Sequence, residues 1–220
     1  MYSGVVVAGN GDINDTANIN TTALRGIGLT DRLGVTTFDT IFPGHYTGRT
    51  NHLHLVSHSN STTYMNNTIS GGNITHVGQL YFDQDLISTV ESTYPYNTNQ
   101  QVMTYNTNDT VLIVETDTPG VDPFVKYAYI GDDITDGLLA WVTIGIDVDA
   151  ASDIAPGGSL YKTGGVTDPG NLAEQESSLI NVLIANGQTS LAAELEAVAG
   201  IATTAPTPAA STMVTSTTAV

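Results

Sequence analysis

The sequence predicts an all-β protein, an antiparallel β-sandwich followed by a short helical extension. Two observations favour this class. The 220 residues include 22 glycines and many threonines and asparagines, whereas lysine and glutamate, which favour helices, are scarce. Seven short strand-like runs alternate with Gly/Asn/Asp/Thr clusters, and no helical pattern lies between them, as is typical of sheets joined by turns. The runs are Tyr2–Ala8, Val35–Phe42, His52–Ser57, Gln79–Phe82, Val111–Glu115, Val125–Ile130 and Leu138–Ile146.

The pattern changes towards the carboxyl end. Asp168-Pro169 is a plausible helix start, and apolar residues at helical spacing follow over Asn171–Ala185 and Thr189–Ala199. An Ala/Thr/Pro/Ser segment of low complexity ends the chain. We therefore predict a β-sandwich core at residues 1–165, a helical extension at 166–200 and a disordered tail at 201–220.

The charge balance excludes several classes of partner. Lys+Arg number 5 and Asp+Glu 22, which gives a formal net charge of −17. Five cations cannot neutralise a run of phosphates. Nucleic acid is therefore excluded as an ordinary partner, and anionic membrane surfaces are disfavoured. No apolar run reaches the length of a membrane span. The chain has no cysteine, which excludes disulfides and thiolate metal sites.

Six Asn-x-Ser/Thr sequons are a mild excess over chance and all fall in polar, turn-like stretches. Together with the acidic, lysine-poor composition they favour a secreted, extracellular glycoprotein. The sequons begin at Asn14, Asn20, Asn60, Asn66, Asn73 and Asn108.

A His-x-His pair is the first candidate for chemistry. Side chains alternate along a strand, so His52 and His54 share one face, with their Cα atoms about 6.6 Å apart. Two imidazoles at this spacing can bind one metal ion. The pair alone is more often a half-exposed strand with two incidental histidines than a metal site.

Three neighbours strengthen the metal interpretation. Tyr46 lies in a Pro-Gly-x-Tyr turn six residues before His52, where its phenol could reach the same ion. Arg49 is one of only five cations, and a cation beside a metal is costly unless an anionic ligand or intermediate requires it. Gln79 opens another β run and places an amide within reach. Each residue also has a purely structural interpretation. Tyr46 could be an amphipathic rim residue, Arg49 could pair with an acidic side chain, and Gln79 could be the solvated start of a strand.

Histidine and phenolate ligands without thiolate or carboxylate indicate Fe(III), because hard ferric iron favours anionic oxygen. A cupin site is excluded, because it requires Glu after a gap of three or four residues from the second histidine, and the positions beyond those gaps are His58 and Ser59. A zinc or copper site that uses His52, His54 and His58 remains an alternative.

Three stretches then carry a family resemblance: Pro43-Gly44-His45-Tyr46, Arg49-Thr50-Asn51-His52-Leu53-His54 and Gly78-Gln79-Leu80-Tyr81-Phe82. Together they resemble the intradiol ring-cleavage dioxygenases, the catechol and protocatechuate enzymes. With Tyr2-Ser3-Gly4-Val5 and the segment 127–133, the pattern is similar to the secreted fungal branch. The resemblance covers roughly residues 2–146 and implies a β-sandwich of the intradiol dioxygenase type.

The resemblance also implies a site and a reaction. Family members hold non-haem Fe(III) with two tyrosines and two histidines, which match Tyr2, Tyr46, His52 and His54. Tyr46 matches the tyrosine that leaves the iron when substrate arrives, and Arg49 and Gln79 match the pair that faces the substrate. With O2, a catechol-type diol would be cleaved between its two hydroxylated carbons to a cis,cis-muconate. The expected partners are thus a small aromatic diol and O2, and the oligomeric state stays open.

The sequence differs from the family pattern at its N-terminal end. Family enzymes carry a substantial segment before the first tyrosine, which here is residue 2. We therefore expect a sandwich that is incomplete at its N-terminus, through a late gene-model start, a fragment or a natural truncation. The alternative function that follows is a non-catalytic secreted module that binds iron or aromatics without turnover.

Overall fold

A computed structural model describes residues 18–66, 68–154 and 158–167, together with six helical positions between 180 and 193. The predicted strand Tyr2–Ala8, the candidate ligand Tyr2, the sequon at Asn14 and the tail at 201–220 lie outside the described residues. The proposed boundaries at residues 165 and 200 stay predictions.

The described strands form four antiparallel pairs. The first pair is the longest and joins β1 (His52–Ser59) to β4 (Asn73–Tyr81). The remaining pairs are β2 (Thr62–Thr63) with β3 (Ile69–Ser70), β5 (Lys126–Tyr129) with β6 (Leu138–Trp141), and β7 (Gly158–Tyr161) with β8 (Gly164–Thr167). Two short helices, α1 (Gln84–Glu91) and α2 (Thr110–Asp117), interrupt this order. The protein is therefore mixed over the described residues, and the two-layer sandwich stays a prediction.

Four of the predicted strands are confirmed with shifted ends. The run at His52–Ser57 is β1, and the run at Val125–Ile130 contains β5. The run at Gln79–Phe82 is the end of a longer strand, β4, whereas the run at Leu138–Ile146 forms a strand only over β6.

The predicted strand at Val111–Glu115 is wrong, because these residues belong to α2. The continuous apolar run there fits a buried strand and a buried helix equally well. The deciding residue is Asp109, whose carboxylate accepts hydrogen bonds from the backbone N–H groups of Val111 and Leu112 and so caps the helix.

Helix α1 is a second correction, because no helix was expected between the strands. Asp83 caps it by accepting a hydrogen bond from the N–H of Leu86, and Leu86, Ile87 and Val90 are buried on its inner face. The predicted strand at Val35–Phe42 is also wrong, since residues 35–42 pair with no described strand. Val35 and Phe38 remain about half exposed there.

The core lies between α1 and one face of the β1–β4 hairpin. Its buried cluster comprises Phe82, Leu86, Ile87, Val90 and Val125. Leu53 and Leu80, which lie opposite each other in the β1–β4 register, pack against this cluster. Because successive side chains alternate, the opposite face of the hairpin carries His52, His54, Gln79 and Tyr81. None of the helices that the structure describes is long and apolar enough to cross a bilayer.

Candidate metal centre

Four polar side chains meet on the outer face of the β1–β4 hairpin. The antiparallel register places His52 opposite Tyr81 and His54 opposite Gln79. The two imidazole ring centroids are 5.0 Å apart. The predicted sharing of one strand face by the two histidines is therefore present in the structure.

Tyr46 reaches the same place from a tight turn that precedes β1. The Arg49 N–H donates to the Tyr46 carbonyl at 3.2 Å, and Gly48 supplies the positive φ of 92° that this turn requires. The Tyr46 hydroxyl lies 3.5 Å from Nε2 of His52. The turn thus brings one phenol beside two imidazoles.

Hydrogen bonding fixes which nitrogen of His52 faces the phenol. Nδ1 lies 2.6 Å from the carbonyl oxygen of Thr50, which can only accept, so Nδ1 carries the proton. Nε2 therefore presents its lone pair to the space beside Tyr46. An imidazole held by a backbone carbonyl in this way is the usual arrangement of a metal-ligating histidine.

Both imidazoles are neutral at ordinary pH. Burial, the Arg49 guanidinium and His54 together lower the pKa of His52 to about 3. Burial and then Arg49 lower the pKa of His54 as well, although His54 is an exposed residue by surface area. Because only a neutral imidazole can bind a metal, both side chains are in the competent form without any proton being displaced.

Arg49 lies at the centre of a hydrogen-bond network behind these side chains. Its Nη2 donates to Oε1 of Gln79 at 2.5 Å and to the Tyr81 hydroxyl at 3.0 Å. Its Nε donates to Oδ2 of Asp109 at 2.9 Å, in an ion pair whose carboxylate is fully buried. Burial raises the pKa of the Tyr46 phenol, whereas Arg49, which also hydrogen-bonds with it, lowers that pKa. The predicted pair Arg49 and Gln79 is therefore in direct contact.

The loop that carries Tyr46 is anchored to α1. Asn51 is fully buried, and its Nδ2 donates to the Pro43 carbonyl at 2.7 Å and to Oε1 of Glu91 at 2.8 Å. Nδ1 of His45 lies 2.9 Å from the same Glu91 oxygen. Both ends of the loop are thus bound to one carboxylate at the end of the helix.

The donor set fits ferric iron better than zinc or copper. It offers two neutral imidazoles and one phenol oxygen, a hard donor that suits Fe(III) once it is deprotonated. Across the described residues, no three His, Cys, Asp or Glu side chains gather where they could hold a metal ion. His58 shares the strand, but it lies beyond a register shift after Ser57 and pairs with Ile74. A site made of His52, His54 and His58 is therefore not formed.

Two functional candidates were missed by sequence reasoning, Asp109 and Tyr81. Tyr81 stands two residues after Gln79, so strand alternation alone places both on one face. Asp109 immediately precedes Thr110-Val111-Leu112, which is the signal of a helix cap. Neither signal indicates that the residue contacts Arg49, because that contact depends on the tertiary packing.

A cleft of about 260 Å³ lies beside β4 and borders this network. Gln79 and Glu115 line it, together with apolar side chains that include Leu80, Val142 and Ile144. Burial raises the pKa of Glu115 to about 7 from an ordinary 4.5; Asp109 adds to this rise and Arg49 opposes it. The cleft thus holds a carboxyl group that titrates near neutral pH.

We expect this carboxyl to make the fold less stable as the pH rises. Because the pKa of Glu115 is higher in the folded chain, its stabilising contribution is complete below about pH 4.5 and is lost as the pH rises through about 7. The melting temperature of Glu115→Gln should therefore fall less between pH 5 and pH 8 than the melting temperature of the wild type. Asp132→Asn, which removes one negative charge at an exposed position, should keep the wild-type loss. An undiminished loss in Glu115→Gln would show that this carboxyl is not perturbed.

The fold and site therefore define a candidate non-haem metal centre on a β-hairpin, and two solved structures are similar to part of the chain. One is an intradiol ring-cleavage dioxygenase from Tetranychus urticae, 29% identical with a TM-score of 0.43, over 54% of this chain and 50% of that one. The other is the crystal structure of a dioxygenase, 29% identical with a TM-score of 0.44, over 56% of this chain and 53% of that one.

The chain thus spans about half the length of each of these dioxygenases. No family model matches the chain, and no curated protein matches it. Part of the chain is similar in structure to intradiol dioxygenases. The fungal branch and the truncated start stay predictions.

Proposed function

We propose that the protein is a non-haem Fe(III) intradiol dioxygenase. It would cleave catechol-type rings between the two hydroxylated carbons with O2 and give cis,cis-muconate-type products. The observation that carries this proposal is the convergence of Tyr46, His52 and His54 in front of the Arg49–Gln79 pair. Tyr2 would supply a fourth ligand.

The proposed ligands differ in charge and in role. His52 and His54 would hold the ion as neutral donors, with His52 oriented by the Thr50 carbonyl. Ferric iron, when bound, supplies Lewis acidity towards the two oxygens of an aromatic diol. The Tyr46 phenolate is the group placed to accept a proton from the incoming diol, because burial raises the pKa of its phenol.

Arg49 supplies the positive charge that an anionic diol requires. Its guanidinium is held by Asp109 on one side and by Gln79 and Tyr81 on the other, so it is preorganised next to the ligands. Gln79 acts by orienting Arg49 and by presenting its amide to the substrate. In the overall reaction both oxygen atoms of O2 enter the ring-opened product, so no external reductant is needed.

The proposal extends to an extracellular location. Five of the six sequons begin at described residues, and these asparagines, Asn20, Asn60, Asn66, Asn73 and Asn108, are all exposed. Exposure is what glycan attachment requires. This supports, together with the acidic composition, a secreted glycoprotein.

The test is oxygen uptake by iron-loaded protein with catechol. We expect uptake that depends on Fe(III), with one ring-opened product formed for each O2 consumed. Iron-free and zinc-loaded protein are the controls and should be inactive.

The alternative is a secreted module that binds iron or aromatics without turnover. Binding of iron and catechol without oxygen uptake would establish this alternative and refute the enzyme.

A further inference from the structure

Asp109 is the most completely bonded carboxylate of the network around Arg49. It is fully buried, and its Oδ1 accepts from the N–H groups of Val111 and Leu112, each at 3.0 Å. Its Oδ2 accepts from Nε of Arg49 at 2.9 Å and from the Thr50 N–H at 2.8 Å. Four donors therefore converge on one side chain that can only accept, and a neutral amide could not satisfy them all.

The carboxylate joins three pieces of structure. It caps α2, it binds the backbone that leads into β1, and it grips the guanidinium that contacts Tyr46, Gln79 and Tyr81. A free arginine side chain loses considerable rotamer entropy when it is ordered, so a fixed counter-ion is what makes one orientation persist.

We propose that Asp109 is a positioning residue of the candidate metal centre, which fixes the Arg49 guanidinium beside Tyr46 for an anionic aromatic diol. The diol and its ion come from the proposed function, on which this part of the inference rests. The structural part, that Asp109 immobilises Arg49, needs no metal. A comparison is available, because Asp83 also caps a helix, accepting one backbone N–H of α1 where Asp109 accepts two of α2.

The first test uses metal-free protein and nuclear magnetic resonance of the arginine Nε–H groups. The chain has three arginines, Arg25, Arg32 and Arg49, so the spectrum is simple. In the wild type, the Arg49 Nε–H should exchange with solvent at least about tenfold more slowly than the other two, because it is bonded to a buried carboxylate. Equal exchange of all three would overturn the proposal without any variant being needed.

The variants then separate positioning from capping. Asp109→Asn keeps one oxygen for the cap of α2 but places an amide against the Arg49 Nε–H, so that resonance should shift and exchange quickly. Asp83→Asn, altered at the other helix cap, should leave the Arg49 resonance unchanged. An unchanged resonance in Asp109→Asn, or an equal change in Asp83→Asn, would show that Asp109 is only a helix cap.

The second test asks whether Asp109 acts on ligand binding through Arg49. Catechol is titrated into iron-loaded protein without O2, using the wild type, Asp109→Asn, Arg49→Gln and the double variant. Each single variant should weaken binding by at least about tenfold, and the double variant no more than Arg49→Gln alone. If the double variant weakened catechol binding by the product of the two single effects, Asp109 would not act through Arg49.

The two tests fail independently. If the wild type takes up no iron, the proposed function fails, while the metal-free resonance still decides whether Asp109 holds Arg49.

Discussion

Replacing His52 with alanine is expected to abolish iron binding. The His52 ring lies beside both the Tyr46 phenol and the His54 ring, and the bond from its Nδ1 to Thr50 orients Nε2. Loss of a direct donor should cost more than loss of an outer partner, which lowers metal affinity by about 10–100-fold, so the affinity for Fe(III) should fall by more than about 100-fold. The measurement is metal analysis after equilibration with Fe(III) and removal of free iron.

His58→Ala is the matched control for this experiment. His58 lies on the same strand and is exposed, but it is separated from the centre by the register shift after Ser57. Its loss should leave the iron content unchanged. Equal loss of iron in both variants, or full iron content in His52→Ala, would mean that the metal is bound elsewhere.

Replacing Ile87 with alanine should cost the largest share of stability. Ile87 is fully buried on α1 within the cluster that also holds Phe82, Leu86 and Val125. Truncation of such a side chain costs about 2–5 kcal/mol, against a total stability of about 5–15 kcal/mol for a typical domain. The measurement is the free energy of unfolding from urea denaturation of the metal-free protein.

Truncation of Ile87 should also affect the candidate metal centre. Helix α1 ends at Glu91, which holds Asn51 and His45 and so anchors the loop that carries Tyr46. Ile87→Ala should therefore weaken iron binding as well as the fold. Ile130→Ala, at a position 68% exposed, should change stability by less than about 0.5 kcal/mol. Equal losses in the two variants would place the core elsewhere.

The sequence predicts the local part of the site well, for a physical reason. The strand period of two determines that His52 and His54 share a face, and the structure has this arrangement. The Pro-Gly-x-Tyr turn likewise indicates that Tyr46 folds back towards His52. These relations span few residues, so they need no knowledge of the tertiary fold.

Contacts that depend on distant segments could not be predicted in the same way. Asp109 is 60 residues from Arg49, and its ion pair exists only because the tertiary fold brings the start of α2 beside Arg49 and Thr50. The helix itself was hidden by an apolar run that is ambiguous between strand and helix. The run at residues 35–42 has strand-like composition, but β-structure needs a partner strand and no described strand pairs with it.

The few cations of the chain gain a specific meaning from the structure. The formal net charge of −17 excludes nucleic acid as an ordinary partner. Of the three arginines, Arg49 is the one enclosed by the side chains of Asp109, Gln79 and Tyr81 beside two imidazoles. A buried cation placed there raises the cost of binding a metal unless the site also takes anionic oxygen ligands. This is the property that a phenolate and a deprotonated diol would provide.

The visible spectrum of the iron-loaded wild-type protein tests the central claim most directly. If Tyr46, His52 and His54 hold Fe(III), the protein should bind one iron per chain and show a phenolate-to-iron charge-transfer band that changes when catechol is added. The band should be altered in Tyr46→Phe. A colourless protein that binds no iron, or that binds zinc or copper at one per chain instead, would contradict the account.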